Sequence, residues 1–236
     1  MTRLVGLVAD YGPGDLRFAE TIQRLALLAP EAELSPTCVA DGDTLAAGLC
    51  VADLALGPGP PGRVVVHDVA AQAGDRCVWI GRTRDGTLVV GADRGYAWSF
   101  VVPRLRRLWA LDVPADAELT FAIRHAFAGH PHALRGAIDR TRVPAPPECV
   151  LVWTDAAGRL QTTLARAPGD RLVVQIGDCR EPVRLRDGRR EPGDGELVLE
   201  PGTYGLHRLT LGGGRAADRF GAPAARTPVT VIPAGR

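Results

Sequence analysis

Between Val8 and Phe18 the chain reads VADYGPGDLRF, which sets two carboxylates around a Gly-Pro-Gly turn. An apolar run (Leu4, Val5, Leu7, Val8) ends at Asp10. The turn then delivers Asp15 to the start of an amphipathic helix with Phe18, Ile22, Leu25 and Leu28 on its apolar side. A buried strand, a glycine turn and a helix in that order bring backbone N–H groups and acids to the carboxyl edge of a sheet, where α/β folds bind ligands. No GxGxxG follows this first strand, so a phosphate cradle is not indicated there. Two acids beside a glycine turn suit hydroxyls or a cationic ligand. They equally suit a capped turn at Asp10 and a capped helix at Asp15, because aspartate favours both positions.

Composition narrows the chemistry. All 28 basic residues are arginine, so a lysine Schiff base or lysine nucleophile is excluded, and the absence of asparagine excludes any step that needs its amide. A net charge of +1 gives no reason to expect nucleic acid or an anionic membrane as partner. No apolar run reaches the length of a membrane span, and the N-terminus lacks a signal-peptide pattern. Cys38, Cys50, Cys77, Cys149 and Cys179 are dispersed without CxxC spacing, as in a cytoplasmic protein with reduced thiols. His130 and His132 have no further ligand at metal spacing, so no metal is expected.

The elements that must position these groups fall into two sets. Leu4–Ala9, Glu33–Thr37 and Arg63–His67 read as strands, with helices over Leu16–Ala29 and Asp43–Ala52 between them. Cys77–Ile80 and Thr87–Gly91 bracket Arg84-Asp85-Gly86, a hairpin signal. Leu119–Ile138 reads as a helix with Phe121, Ile123, Phe127, Leu134 and Ile138 as core residues. The stretch RVPAPPE (Arg142–Glu148) cannot continue a helix and marks a linker. Beyond it come short strands at Val150–Thr154, Leu160–Leu164, Arg171–Ile176, Glu196–Leu199, His207–Leu211 and Thr227–Ile232, while Arg180–Arg190 reads as a solvated hairpin. The expected architecture is an α/β domain with a mainly parallel sheet over residues 1–143. A smaller all-β domain, barrel or sandwich, is expected over residues 148–236.

The opening segment resembles the "TDFG…D" start of the S-adenosylmethionine (SAM) hydroxide adenosyltransferases, relatives of the fluorinase and chlorinase. The resemblance continues through Asp43 with Leu45-Ala46-Ala47, the strand Val64–His67, and Ala92-Asp93-Arg94-Gly95. It extends to Thr120-Phe121 with Arg124 and Phe127, and to Trp153-Thr154-Asp155 with Gly158. Such enzymes attack C5′ of SAM with water or halide and release methionine. The resemblance implies SAM as substrate or ligand, bound between domains, in a homotrimer without metal. It places Asp10 on the ribose diol and Asp155 on the methionine ammonium. Tyr11, Asp15, Asp93 and Phe121 complete the set of ligand contacts.

The departures matter as much. Asp68 and Arg76 stand near the family's water-activating pair, in a loop that has lost the Pro and Gly of "VVDPGVGTxRR"; a solvated ion pair accounts for them equally. In the family's "TFHGRD", Ala122 replaces the histidine and Ile123 the small residue beside the nucleophile, leaving His125 as the nearest imidazole. The catalytic candidates are therefore Asp68, Arg76 and His125. Asp155 also fits an Asp-Ala-Ala-Gly hairpin turn with no ligand at all. Three readings follow. One is a SAM-using adenosyltransferase with an altered, non-water nucleophile. Another is a catalytically degenerate SAM- or adenosine-binding protein or scaffold. The last is a SAM hydrolase giving adenosine and methionine.

Overall fold

The computed structural model describes residues 3–69, 78–111, 123–124 and 134–234. The chain divides into two units, Met1–Ala145 and Pro146–Arg236.

In the first unit, β1 (Arg3–Ala9), β2 (Ala32–Cys38) and β3 (Val64–Asp68) alternate with the helices α1 (Leu16–Leu28) and α2 (Thr44–Leu56). Then come β4 (Val78–Arg82), β5 (Leu88–Ala92), β6 (Arg107–Leu111) and β7 (Leu134–Ala137). The seven strands form one sheet in the order β2-β1-β3-β5-β4-β6-β7. The pairs β1·β2, β1·β3 and β3·β5 are parallel, whereas β4·β5, β4·β6 and β6·β7 are antiparallel. The sheet is therefore mixed, and the expectation of a mainly parallel α/β domain is wrong. The cause is local. Arg84-Asp85-Gly86 turns the chain back at once, with Gly86 at φ +90° and the Thr83 N–H donating to the Thr87 carbonyl at 3.0 Å. A tight turn can only produce an antiparallel neighbour, since a parallel one needs a long crossover.

A second correction concerns Leu119–Ile138. Leu134–Ala137 is strand, paired with β6 across a bulge at Ala110/Leu111, and Gly136 takes φ +141°. The spacing of Leu134 and Ile138 imitates a helical face, but β6 offers a ladder of backbone partners that local periodicity cannot reveal. Ile123 and Arg124 are helical.

The helices cover opposite faces of the sheet. Leu25 of α1 is buried with Val5, Leu7, Val64 and Val66, and Phe18, Ile22 and Leu28 pack against that cluster. On the other face, a Cβ added to Gly6 would lie 3.3 Å from Leu54 of α2 and 3.8 Å from Val65. Leu45, Leu49 and Val51 of α2 are almost wholly withdrawn from water. Each such side chain contributes about 2 kcal/mol of burial, which is why α2 needs no polar face here.

The second unit holds β8 (Leu151–Thr154), β9 (Leu160–Thr162), β10 (Arg171–Ile176), β11 (Cys179–Leu185), β12 (Leu197–Pro201) and β13 (His207–Leu211). The one-turn helix α3 (Ala216–Arg219) and β14 (Val229–Pro233) complete it. Its sheet runs β14-β10-β11-β12-β13-β9-β8, with β11·β12 parallel. The edge strands meet at one point, where Val150 bridges Pro228 and the Leu151 N–H donates to the Thr227 carbonyl at 2.9 Å. This is one curled, mixed sheet, a half-barrel, rather than two packed sheets. The extra strand is β11, which occupies much of the stretch expected as a solvated hairpin. Its arginines face outward while Val183 is buried; it follows β10 through the two-residue turn Gly177-Asp178 and pairs on its other side with β12. Among the described residues, no helix is long and apolar enough to cross a membrane.

Candidate functional site

The first unit carries a topological switch point. From β1 the chain crosses one face through α1 to reach β2, then returns over the other face through α2 to β3, on the far side of β1. The strand order thus reverses beside β1, and the carboxyl ends of strands at such a reversal are the usual ligand position of α/β sheets. The register sets what stands there. Ala9 pairs with both Cys38 and Asp68, so Asp10 and Tyr11 leave β1 beside the end of β3.

Tyr11 is buried, and its phenol donates to Asp68 Oδ2 at 2.5 Å. The phenol oxygen also lies 3.0 Å from the Thr21 hydroxyl on α1, and the Arg17 guanidinium sits 4.4 Å over the ring. Burial, reinforced by the Asp68 charge, pushes the phenol well above its ordinary ionisation range. It is a neutral donor throughout the physiological range. Asp68 itself is half-buried.

Asp10 is half-buried and accepts the Gly42 N–H on Oδ2 at 3.1 Å, which ties β1 to the loop before α2. The turn after it follows the type II pattern, with Pro13 at its second position and Gly14 at φ +100°, closed from Asp15 N–H to the Gly12 carbonyl at 3.0 Å. Gly12 has little room for a side chain, since a Cβ there would meet Cys38 Sγ at 3.0 Å. Asp15 is exposed and caps α1 by accepting the Arg17 N–H at 2.8 Å. It is spent as a cap. The Gly57–Gly62 string has GxGxxG spacing, but it leaves α2 and enters β3, and its three prolines offer no N–H to a phosphate.

Asp93 lies just beyond β5, at the same edge. It pairs with Arg142 at 3.7 Å, yet burial holds its carboxyl above the usual range against the pull of Arg142 and Arg94. Trp98 is a buried core residue whose indole donates to the Ala92 carbonyl at 3.0 Å. Ile123 is 2 % exposed and belongs to the same apolar cluster as Tyr11, Val66 and Leu111. Arg76, Phe121 and His125, together with Ala122, lie outside the described residues.

Asp155 is in the second unit and serves its own turn. Its Oδ1 accepts the Arg159 N–H at 2.9 Å, and its backbone carbonyl accepts from Gly158 at 2.8 Å. Gly158, at φ +75°, lets the turn approach Arg215, where a Cβ would come within 2.6 Å. No group of three or more possible metal ligands occurs among the described residues.

Reading by motif passed over His67. It sits on β3 facing α2, wholly buried, with neither ring nitrogen hydrogen-bonded among the described residues. Burial lowers its pKa to about 4, so the imidazole is neutral. Gly91 makes room for it, since a Cβ there would fall 2.1 Å from Nε2, and Trp98 packs against the ring at 5.2 Å, nearly perpendicular. The signal was present in the sequence as a lone polar residue closing the apolar run Val64-Val65-Val66.

No protein-family model and no curated protein sequence matches this chain. Solved structures do. A conserved hypothetical protein from Thermus thermophilus is 25% identical, with a TM-score of 0.72 over 98% of this chain and 100% of its own. An uncharacterized conserved protein from Thermotoga maritima superposes with a TM-score of 0.76 at 14% identity, over 97% of this chain and 100% of its own. The fold is thus shared along the full length of both.

Proposed function

We propose that the first unit binds SAM or adenosine at the carboxyl edge of β1 and β3, with Asp10 accepting the ribose hydroxyls, and acts at C5′. What carries the reading is the meeting of Asp10, Tyr11 and Asp68 at the switch point, in a chain whose opening residues resemble the SAM hydroxide adenosyltransferases. A neutral protic nucleophile suits a site lined by carboxylates better than a halide, which they would repel. Its lone pair forms the bond to C5′ as the C5′–S bond breaks, and that bonding pair stays on sulfur. Methionine leaves as a neutral thioether, and the nucleophile's proton passes to the Asp68 carboxylate. The sulfonium is already a good leaving group, so alignment and charge stabilisation are what the protein must add. The homotrimer implied by the resemblance belongs to the same proposal.

A second reading is favoured by Ile123, which packs as core beside Tyr11. It is a protein that binds SAM or adenosine without turning it over.

Titration calorimetry with SAM, followed by mass analysis of the products, separates these readings. Binding with an adenosyl adduct supports transfer, release of adenosine shows hydrolysis, and heat without product supports the binding protein. Asp10→Ala should weaken binding at least about 100-fold, since two hydrogen bonds to a charged acceptor are lost. Unchanged affinity removes Asp10 from the ribose and the reading with it.

A further inference from the structure

We infer that Tyr11 is a positioning residue, whose hydroxyl fixes the Asp68 carboxylate where β1 and β3 end side by side. The inference rests on the proposed reading only in taking Asp68 as the group that faces the nucleophile.

The ring of Tyr11 fills a place in the apolar cluster that phenylalanine would fill equally well, with Leu25, Val66 and Ile123 in the same cluster. The hydroxyl adds nothing to that packing and must be stripped of water to be there. Its presence is explained by what it reaches, an acid 57 residues away on another strand. Among the described residues, Tyr11 is the one hydrogen-bond donor to the Asp68 carboxylate, and it engages Oδ2 alone.

Tyr11 is itself held from α1. Thr21 meets the hydroxyl at 3.0 Å, and Arg17 lies over the ring at 4.4 Å. The phenol therefore links the first turns of α1 to the end of β3, and a shift of either would misplace Asp68. A charge-assisted hydrogen bond of this kind is directional as well as strong. Alignment errors near 1 Å cost about 100-fold in rate.

The test uses the whole chain. In an NMR spectrum the Tyr11 hydroxyl proton, buried and strongly hydrogen-bonded, should resonate far downfield and vanish in Tyr11→Phe. Asp68→Asn should move it, because a neutral amide oxygen is a poorer acceptor. With SAM, Tyr11→Phe should leave the dissociation constant within about threefold while turnover falls about 10- to 100-fold. A hydroxyl signal indifferent to Asp68→Asn overturns the inference. So does a Tyr11→Phe variant that turns SAM over at the original rate. If the unaltered protein neither binds nor converts SAM, the functional reading fails alone, and the spectrum still decides whether Tyr11 holds Asp68.

Discussion

The end of β3 and the β8–β9 turn each carry an aspartate that the sequence singles out, and they are built in opposite ways. Asp155 finds its partners within four residues, in the N–H groups of the turn it belongs to. Asp68 finds its partner 57 residues away, on the loop leaving β1. Its neighbour His67 faces the other side of the sheet, enclosed by Gly91 and Trp98. An acid satisfied by its own turn needs no ligand to explain it. An acid held by a distant, desolvated phenol is placed by the pairing of strands rather than by its own turn, and stripping that phenol of water is a cost of placing it.

The largest expected effect tests how tightly the end of β3 is enclosed. Gly91→Ala drives a Cβ into the His67 ring at 2.1–2.4 Å, where the ring has Trp98 beside it and no free space. We expect a loss of about 3 kcal/mol, at the upper end of overpacking costs, and a fall in Tm of roughly 10 °C for a unit of this size. His67→Ala added to Gly91→Ala should recover part of it by making room. Gly169→Ala in the second unit, where nothing lies within 4 Å of the new methyl, should stay within about 0.5 kcal/mol. If thermal unfolding shows Gly91→Ala to be as mild as Gly169→Ala, the end of β3 is not enclosed as described.

Acid sharpens the same contrast. The pKa of His67 is near 4 in the folded protein against an ordinary value of 6.5, because burial penalises the cation. The unfolded chain therefore takes up the proton first. Stability contributed by the neutral imidazole is complete above pH 6.5, declines as pH falls toward 4, and is lost below that. The whole span is about 3 kcal/mol, the worth of the shift. Denaturant unfolding from pH 7 to 4 should show that decline, and His67→Leu should flatten it by the same amount. A variant with the original slope would show that the imidazole is not the group responsible.

How much of this was legible depends on the range over which each feature is encoded. The β1–turn–α1 segment could be read because an apolar run, Pro13-Gly14 and the Asp15 cap all act within a few residues. The β4–β5 hairpin was equally plain in Arg84-Asp85-Gly86, and it already implied an antiparallel pair. β7 and β11 were misread for different reasons. β7 is defined by β6, more distant in the chain, while its local spacing imitates a helix; β11 follows β10 through the two-residue turn Gly177-Asp178, and its run of charges hid a strand that this turn could have signalled. Asp10 and Asp68 are singled out in the sequence by their type and by their position at the ends of apolar runs. The Tyr11–Asp68 bond is not, because nothing local to either residue encodes a contact that only the parallel pairing of β1 with β3 creates.

The smallest effects decide whether the comparison between the two aspartates is one of kind or only of degree. Asp155→Ala removes a hydrogen bond between a charged acceptor and a backbone donor in a partly exposed turn, so it should cost about 1 kcal/mol. Asp15→Ala removes an exposed helix cap and should cost between about 0.5 and 1 kcal/mol. Neither should alter SAM binding by more than about twofold, if local hydrogen bonds are all these acids supply. Asp15 is the sharper control, because it stands five residues from Asp10 yet faces solvent, and its carboxylate accepts from its own helix. Calorimetry on the three variants at one temperature sets the scale. Should Asp15→Ala weaken SAM as severely as Asp10→Ala, closeness to the switch point would not distinguish a ligand contact from a cap. Asp15 would then have to reach the ligand while still holding the first turn of α1.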